Sequence, residues 1–241
     1  MSMKRFNQEE FDEFVLNHGV IGFFEEPITM VSGRKSHFYC NWRKVSNDAF
    51  LLHELVHFVI RFVEDKVASE TIESPDCFYG VPEGATKLGV LTQYVWANMS
   101  PDFREGSHVL AMGRAKPKEH GAIADRFFVG TPHGGTIVLE DVTTTGGSLL
   151  KALDQLIEAN IPIVAAIGLT NRMELRDDRT SVADAVATRI SQDLPVPYFH
   201  LSDALTLLPK AVSRAKPSAA VIAAVEKEFQ THGVRPLSLA E

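Results

Sequence analysis

Two adjacent acids, Glu140 and Asp141, follow the apolar run Ile137, Val138 and Leu139 and lead directly into Val142, Thr143, Thr144, Thr145, Gly146, Gly147 and Ser148. Small residues let backbone N–H groups approach an anion closely, the hydroxyls add donors, and a helix beginning there points its positive end at the same place. A phosphate fits such a loop. The acids cannot hold that phosphate, because like charges repel. They can accept hydrogen bonds from the vicinal hydroxyls of a ribose and help to retain a divalent metal. The loop suggests phosphate and the acids suggest ribose.

A second set of charges lies upstream, where Arg114, Lys116, Lys118 and His120 precede Gly121 in a polar, weakly periodic stretch that runs to Thr136. Long connections of this kind are commonly functional loops. One carrying these cations could close over a pyrophosphate, offset its charge and exclude water. Composition alone reads it as a solvated basic loop. A third loop, Val81-Pro82-Glu83-Gly84-Ala85-Thr86-Lys87, has small residues that permit close backbone approach, though not at Walker A spacing.

The elements that must position these residues follow from periodicity. Residues 137–139 form a buried strand, and Leu149, Leu150, Leu153, Leu156 and Ile157 form the apolar stripe of a helix. In an open α/β sheet the junction lies at the carboxyl end of the strand, where ligands bind. Further core strands are expected at 77–80, 108–112, 161–170 and 198–201, and helices at 48–68 and 181–190. Asn7 with Glu10 starts a docking helix that Gly19 ends. Short β-type runs at 20–24, 28–31 and 38–42, broken by Pro27 and by Ser32-Gly33-Arg34-Lys35-Ser36, form an antiparallel appendage. From Ser202 the chain is a helical tail, with Pro217 opening the last helix.

His53-Glu54-Leu55-Val56-His57 matches the H-E-x-x-H pattern of zinc peptidases. His53, His57, Arg61 and Glu64 share one polar stripe without a third His at metzincin spacing, so we read a solvated face and expect no metal held by direct side-chain ligation. Glu70 and Glu73 remain as distant ligands.

Bulk properties set the frame. The 241 residues, 45% hydrophobic and 23% charged, describe one globular domain. The net charge of -7 argues against a nucleic-acid-coating surface. No apolar run reaches membrane-spanning length, and Met1-Ser2-Met3-Lys4-Arg5-Phe6 lacks a signal-peptide core, so a cytoplasmic location is expected. Cys40 and Cys77 lack the spacing of a zinc or redox pair and are expected as buried, reduced thiols.

The stretch from Ile137 to Ser148 resembles the phosphoribosyl pyrophosphate signature of type I phosphoribosyltransferases. Several other segments resemble the orotate phosphoribosyltransferases within that class: the Ser32-to-Ser36 turn before Phe38-Tyr39-Cys40-Asn41 as a hood over the base, the 81–87 loop with Lys87 as a pyrophosphate loop, Arg114, Lys118, His120 and Gly121 as the basic catalytic loop, and Arg172 in Asn171-Arg172-Met173-Glu174 as the group that engages the orotate carboxylate.

The resemblance covers nearly the entire chain. It implies an α/β fold with a mainly parallel central sheet flanked by helices and an N-terminal β/helix hood. The expected divisions are a hood over 1–45, a core over 46–201 and a helical tail over 202–241, all within one domain. It further implies transfer of the phosphoribosyl group to orotate, giving orotidine monophosphate and pyrophosphate, with Mg2+ as cofactor and a homodimer sharing the basic loop. In that scheme Arg114, Lys118, His120 and Asp141 are catalytic. Glu140 to Ser148, Tyr39, Lys87 and Arg172 bind substrate.

Val31 and His37 in the hood, Glu83-Gly84 in the second loop and Ala115 in the basic loop depart from the family pattern and leave the base in question. The alternatives are a phosphoribosyltransferase for another base and a non-catalytic phosphoribosyl pyrophosphate-binding regulator. A metalloprotease is a distant third.

Overall fold

The computed structural model describes residues 4–239, so the start of the N-terminal run considered above lies outside the described residues. In chain order the elements are α1 (Gln8–Asn17), β1 (Ile21–Thr29), β2 (Lys35–Cys40), α2 (Arg43–Ser46), α3 (Ala49–Ala68), β3 (Cys77–Gly80), α4 (Thr86–Met99), β4 (Met112–Gly113), α5 (Ile123–Phe127), β5 (Phe128–Val129), β6 (Thr136–Thr143), α6 (Gly147–Glu158), β7 (Ile163–Asn171), α7 (Val182–Ala187), β8 (Ile190–Ser191), β9 (Leu194–Pro195), β10 (Tyr198–Asp203), α8 (Ala204–Ala215) and α9 (Ala219–His232).

The central sheet is wholly parallel, in the order β10-β7-β6-β3. Its strands are covered on both faces, as their near-continuous apolar sequences require. The strand period of two divides them: Ile137 and Leu139 of β6 enter the core shared with α1, α3 and α4, while Val138 enters the core shared with α6 and α7. Polar side chains cap the starts of both α1 and α3, the first at the residue expected from the sequence. Asn7 accepts from the Glu10 N–H at 3.0 Å, and Asp48 accepts from Phe50 and Leu51 at 2.9 and 3.0 Å.

The hood is the antiparallel pair β1-β2, separate from the central sheet. Two of the expected short runs fuse into one strand, with a register break between Phe23 and Ile28 absorbing Pro27. The C-terminal helices are part of this unit. Phe38 and Cys40 of β2 pack with Ala204 and Leu208 of α8 and with Val221, Val225 and Phe229 of α9. Glu228 of α9 accepts from the His37 N–H at 2.7 Å and from the Ser36 hydroxyl at 2.7 Å.

Three expectations change. The strand anticipated over 108–112 is only β4, paired antiparallel with β5 in a small arm beside the central sheet and not with any strand of that sheet. The helix anticipated over 181–190 ends at Ala187 and gives way to the β8-β9 hairpin. The strand over 161–170 starts two residues later, after Pro162.

Candidate functional site

The β6-α6 junction opens at the carboxyl end of the sheet into a cleft of about 540 Å³. Three loops and the hood converge on it. Val142, Thr144, Thr145, Gly146, Gly147 and Ser148 line its floor, with Glu140 and Asp141 beside them. Gly146 makes the turn at φ +73°, a left-handed conformation that favours glycine, and a Cβ there would come 3.1 Å from Val182. No side chain caps α6, so its first N–H groups face the loop that the sequence marks for an anion. Arg176 donates to the Thr145 carbonyl at 2.6 Å and braces the loop from behind.

The acids differ in setting. Glu140 is 5% exposed and its carboxyl group is raised well above the usual carboxylate range, by burial first and by the neighbouring Asp141 charge second. It accepts from the Asp141 N–H at 3.2 Å, and Asp141 accepts from the Val142 N–H at 2.8 Å. The β3-α4 loop presses on this pair: an ideal Cβ on Gly84 would lie 2.6 Å from the Asp141 carboxyl carbon. Glycine is needed there because the backbone itself is against the acid.

Hood residues Thr29 to Ser32, Tyr39 and Cys40 close the other side. Burial raises the Cys40 thiol to about 11, so it stays protonated and is no nucleophile. Val31 is fully exposed at the cleft mouth. Cys77, also buried, is raised to about 11 as well. Neither cysteine is in a disulfide.

Several residues singled out from the sequence take other positions. Thr143 is buried, with its hydroxyl paired with the Tyr198 hydroxyl at 2.5 Å. Lys87 donates to Asn47 at 2.7 Å, outside the cleft lining. Arg114 braces the arm by donating from Nε to the carbonyls of Asp125 and Phe128 at 3.2 and 3.1 Å. Lys118 and His120 are exposed further along the same arm.

The arm is rooted next to the cleft, since a Cβ on Gly113 would lie 3.0 Å from Pro82 Cδ of the β3-α4 loop. Arg172 lies beneath the hood with 1% exposure and donates to Glu174, to the Phe38 carbonyl and to Ser36 at 2.7, 3.1 and 2.9 Å.

Two cations line the cleft that sequence reading passed over, Arg43 of α2 and Lys151 of α6. Lys151 was discoverable, because four residues after Gly147 places it on the same helix face as the loop. Arg43 carried no periodic signal. Its place depends on how the hood turns into α2.

This chain is 34% identical over 167 residues to the orotate phosphoribosyltransferase of Bradyrhizobium diazoefficiens, an alignment covering 65% of this chain and 79% of that protein. The chain belongs to the orotate phosphoribosyltransferase family. A family member from Rhodopseudomonas palustris is 37% identical over 157 residues, covering 61% and 74% of the two chains. Among solved structures, the orotate phosphoribosyltransferase of Francisella tularensis superposes with a TM-score of 0.61 at 19% identity, over 93% of this chain and 99% of that one. The fold is therefore the family's type I phosphoribosyltransferase fold, an α/β core with a hood. No protein-family model matches the chain.

Proposed function

We propose that this protein transfers the phosphoribosyl group of phosphoribosyl pyrophosphate to orotate, releasing orotidine monophosphate and pyrophosphate for pyrimidine nucleotide synthesis. The observation that carries this reading is the convergence, in one cleft of a chain from this family, of an uncapped helix start with an adjacent acid pair. The N–H groups and hydroxyls of Thr144, Thr145, Gly146, Gly147 and Ser148 hold the 5-phosphate. Glu140 and Asp141 take the ribose hydroxyls, Val142 and Thr143 shape the strand end, and Tyr39 covers the base.

The base nitrogen gives up its N–H proton to solvent as it attacks the anomeric carbon, and the bond from that carbon to the pyrophosphate oxygen breaks, its electron pair leaving with pyrophosphate. Positive charge grows on the ribose, where the acids favour it, and negative charge grows on the leaving group. Lys118 and His120 on the arm, held in place by Arg114, neutralise that charge, with Lys151 in the cleft lining and Lys87 joining them only on leaving Asn47.

Mg2+ belongs to this reading. It fits the donor set, because Mg2+ is commonly held by one or two carboxylates together with substrate phosphates and water, and Glu140 and Asp141 supply the carboxylates. When bound, it adds positive charge beside the leaving pyrophosphate. The arm's exposed Lys118 and His120, together with the exposed apolar residues Leu110, Met112, Ile123 and Val129 around them, suit a homodimer in which the arm is shared. Among the described residues no helix is long and apolar enough to cross a membrane. We place the activity in the cytoplasm, in a single catalytic unit of hood, core and helical tail.

One observation favours a second reading. The Arg172 guanidinium is buried beneath the hood and outside the cleft lining, with three of its five N–H groups already donating, so an orotate carboxylate reaches it only by exchanging places with a hood group that covers it. A base without a carboxylate would not require this exchange. The test is to mix the protein with phosphoribosyl pyrophosphate, Mg2+ and single bases, following base consumption and pyrophosphate release. Orotate turnover is expected. Turnover of adenine or hypoxanthine alone selects the second reading, and binding without turnover identifies a regulator.

A further inference from the structure

His53 and His57 lie one turn apart on α3, with their Nε2 atoms 3.2 Å apart and their rings nearly perpendicular at 83°. They line a shallow groove between α3 and α4 together with Leu91, Tyr94, Val95, Asn98 and Met99. This groove shares no lining residue with the catalytic cleft. Both rings are accessible, His53 exposed and His57 half-buried.

The separation has a chemical meaning. Two metal–nitrogen bonds of about 2.0–2.1 Å meeting at a tetrahedral angle hold their nitrogens about 3.3 Å apart. The observed 3.2 Å is therefore close to the nitrogen–nitrogen separation of such a chelate. Arg61, one turn further on, lies over the Phe58 ring, 5.1 Å from its centroid.

We propose that His53 and His57 form a bidentate site for a borderline divalent cation of the zinc, nickel and copper class, separate from the catalytic cleft. Imidazole pairs select these ions over Mg2+, which prefers oxygen ligands. The remaining coordination positions go to water, with Asn98 among the residues lining the same groove. Among the described residues no third His, Cys, Asp or Glu joins the pair, so the site binds an exchangeable ion and lacks the ligands of a peptidase. In the metal-free pair one ring donates its Nε2–H to the other. Binding moves that proton to Nδ1 of the same ring, leaving two Nε2 lone pairs for the ion without net proton release.

The test uses the full chain, stripped with a chelator and titrated with zinc chloride by calorimetry in buffer containing excess Mg2+. One zinc equivalent should bind, and His53→Gln and His57→Gln should each weaken it by about tenfold or more, because each removes the intramolecular second ligand. Equal zinc affinity in the wild type and both variants would overturn the proposal, as would the absence of binding. A second measurement needs no variant: zinc, but not Mg2+, should protect both histidines of the native protein from acylation by diethyl pyrocarbonate, read by peptide mass. Unprotected His53 and His57 at saturating zinc would also overturn it.

Discussion

Arg172 and Glu174 form a buried ion pair, Nε to Oε1 at 2.7 Å, and the same guanidinium lies 3.7 Å above the Phe38 ring centroid. Two residues at the end of β7 thereby fasten the hood strand β2 to the sheet. Glu174 is also held by Arg34 at 3.1 Å, so the pair belongs to a network joining the Ser32–Ser36 turn to the core. A planar fork spread over a carboxylate, a hydroxyl and a carbonyl is a role that lysine cannot fill.

Removing Arg172 leaves Glu174 buried with Arg34 as its remaining cation. Breaking a buried pair from one side costs about 3–5 kcal/mol, and Arg34 should keep Arg172→Ala near the lower end. Urea unfolding should show that loss, with Arg172→Lys intermediate. If Arg172→Ala leaves the midpoint unchanged but abolishes orotate binding, the residue serves the substrate and not the hood.

The contrast between Arg172 and the β6-α6 loop shows what a sequence can and cannot reveal. Glu140 to Ser148 are consecutive, and their geometry follows from a strand ending, a glycine turn and a helix beginning. Local pattern was enough. Arg172 instead meets Ser36 and Phe38 at separations of 136 and 134 residues, a contact set by packing of the hood on the sheet.

Arg43 was invisible for the same reason. Asn7 disclosed its cap because capping is local, whereas the 108–112 segment looked like a core strand only because periodicity does not reveal whether a neighbour exists to pair with it.

At Gly84, alanine would force a methyl group into the Asp141 carboxylate. Overpacking of this kind costs about 1–3 kcal/mol, and here either the β3-α4 loop or Asp141 must move. The variant should fold, lose stability within that range and bind phosphoribosyl pyrophosphate more weakly, by calorimetry. Wild-type affinity in Gly84→Ala would mean that the contact does not shape the site.

Lys151 and Arg43 line a cleft that also contains Glu83, Glu140 and Asp141. A hydrogen bond to a charged group contributes about 1.5–3 kcal/mol, so Lys151→Ala should raise KM for phosphoribosyl pyrophosphate by about tenfold to a hundredfold at unchanged thermal stability. Arg43→Ala should do likewise, and both losses should shrink as salt is added. An unchanged KM in both variants would place the substrate elsewhere.

Glu140 makes a pH-dependent contribution whose sign is fixed by its raised pKa. From the ordinary value of 4.5 up to the raised folded value, the folded protein holds a proton that the unfolded chain has lost, so stability falls as pH rises through that window and then levels. Glu140→Gln removes the titration. It should remove this component of the slope and leave the ligand-free variant more stable than the wild type above the window, by urea midpoints across pH. A cation at the acid pair favours the charged form, so Mg2+ with phosphoribosyl pyrophosphate should narrow the difference. Identical pH profiles for the two proteins would show that Glu140 titrates normally.

The arm separates holding from chemistry within a few residues. Arg114 spends its Nε on the carbonyls of Asp125 and Phe128, while Lys118 and His120 stand exposed beyond it. Charge supplied only as pyrophosphate leaves lowers the barrier without tightening the ground state, and loss of one such donor typically costs about a hundredfold or more in kcat. Lys118→Ala should therefore lower kcat by about that factor while leaving KM and the melting temperature near wild type. Arg114→Ala should lower both kcat and the protection of the Phe127 and Phe128 amides from hydrogen exchange, because the arm loses its brace. If Lys118→Ala turns over as fast as the wild type in single-turnover experiments, Lys118 takes no part in the chemical step and the pyrophosphate charge must be met by His120 on the arm or by Lys151 and Arg43 within the cleft.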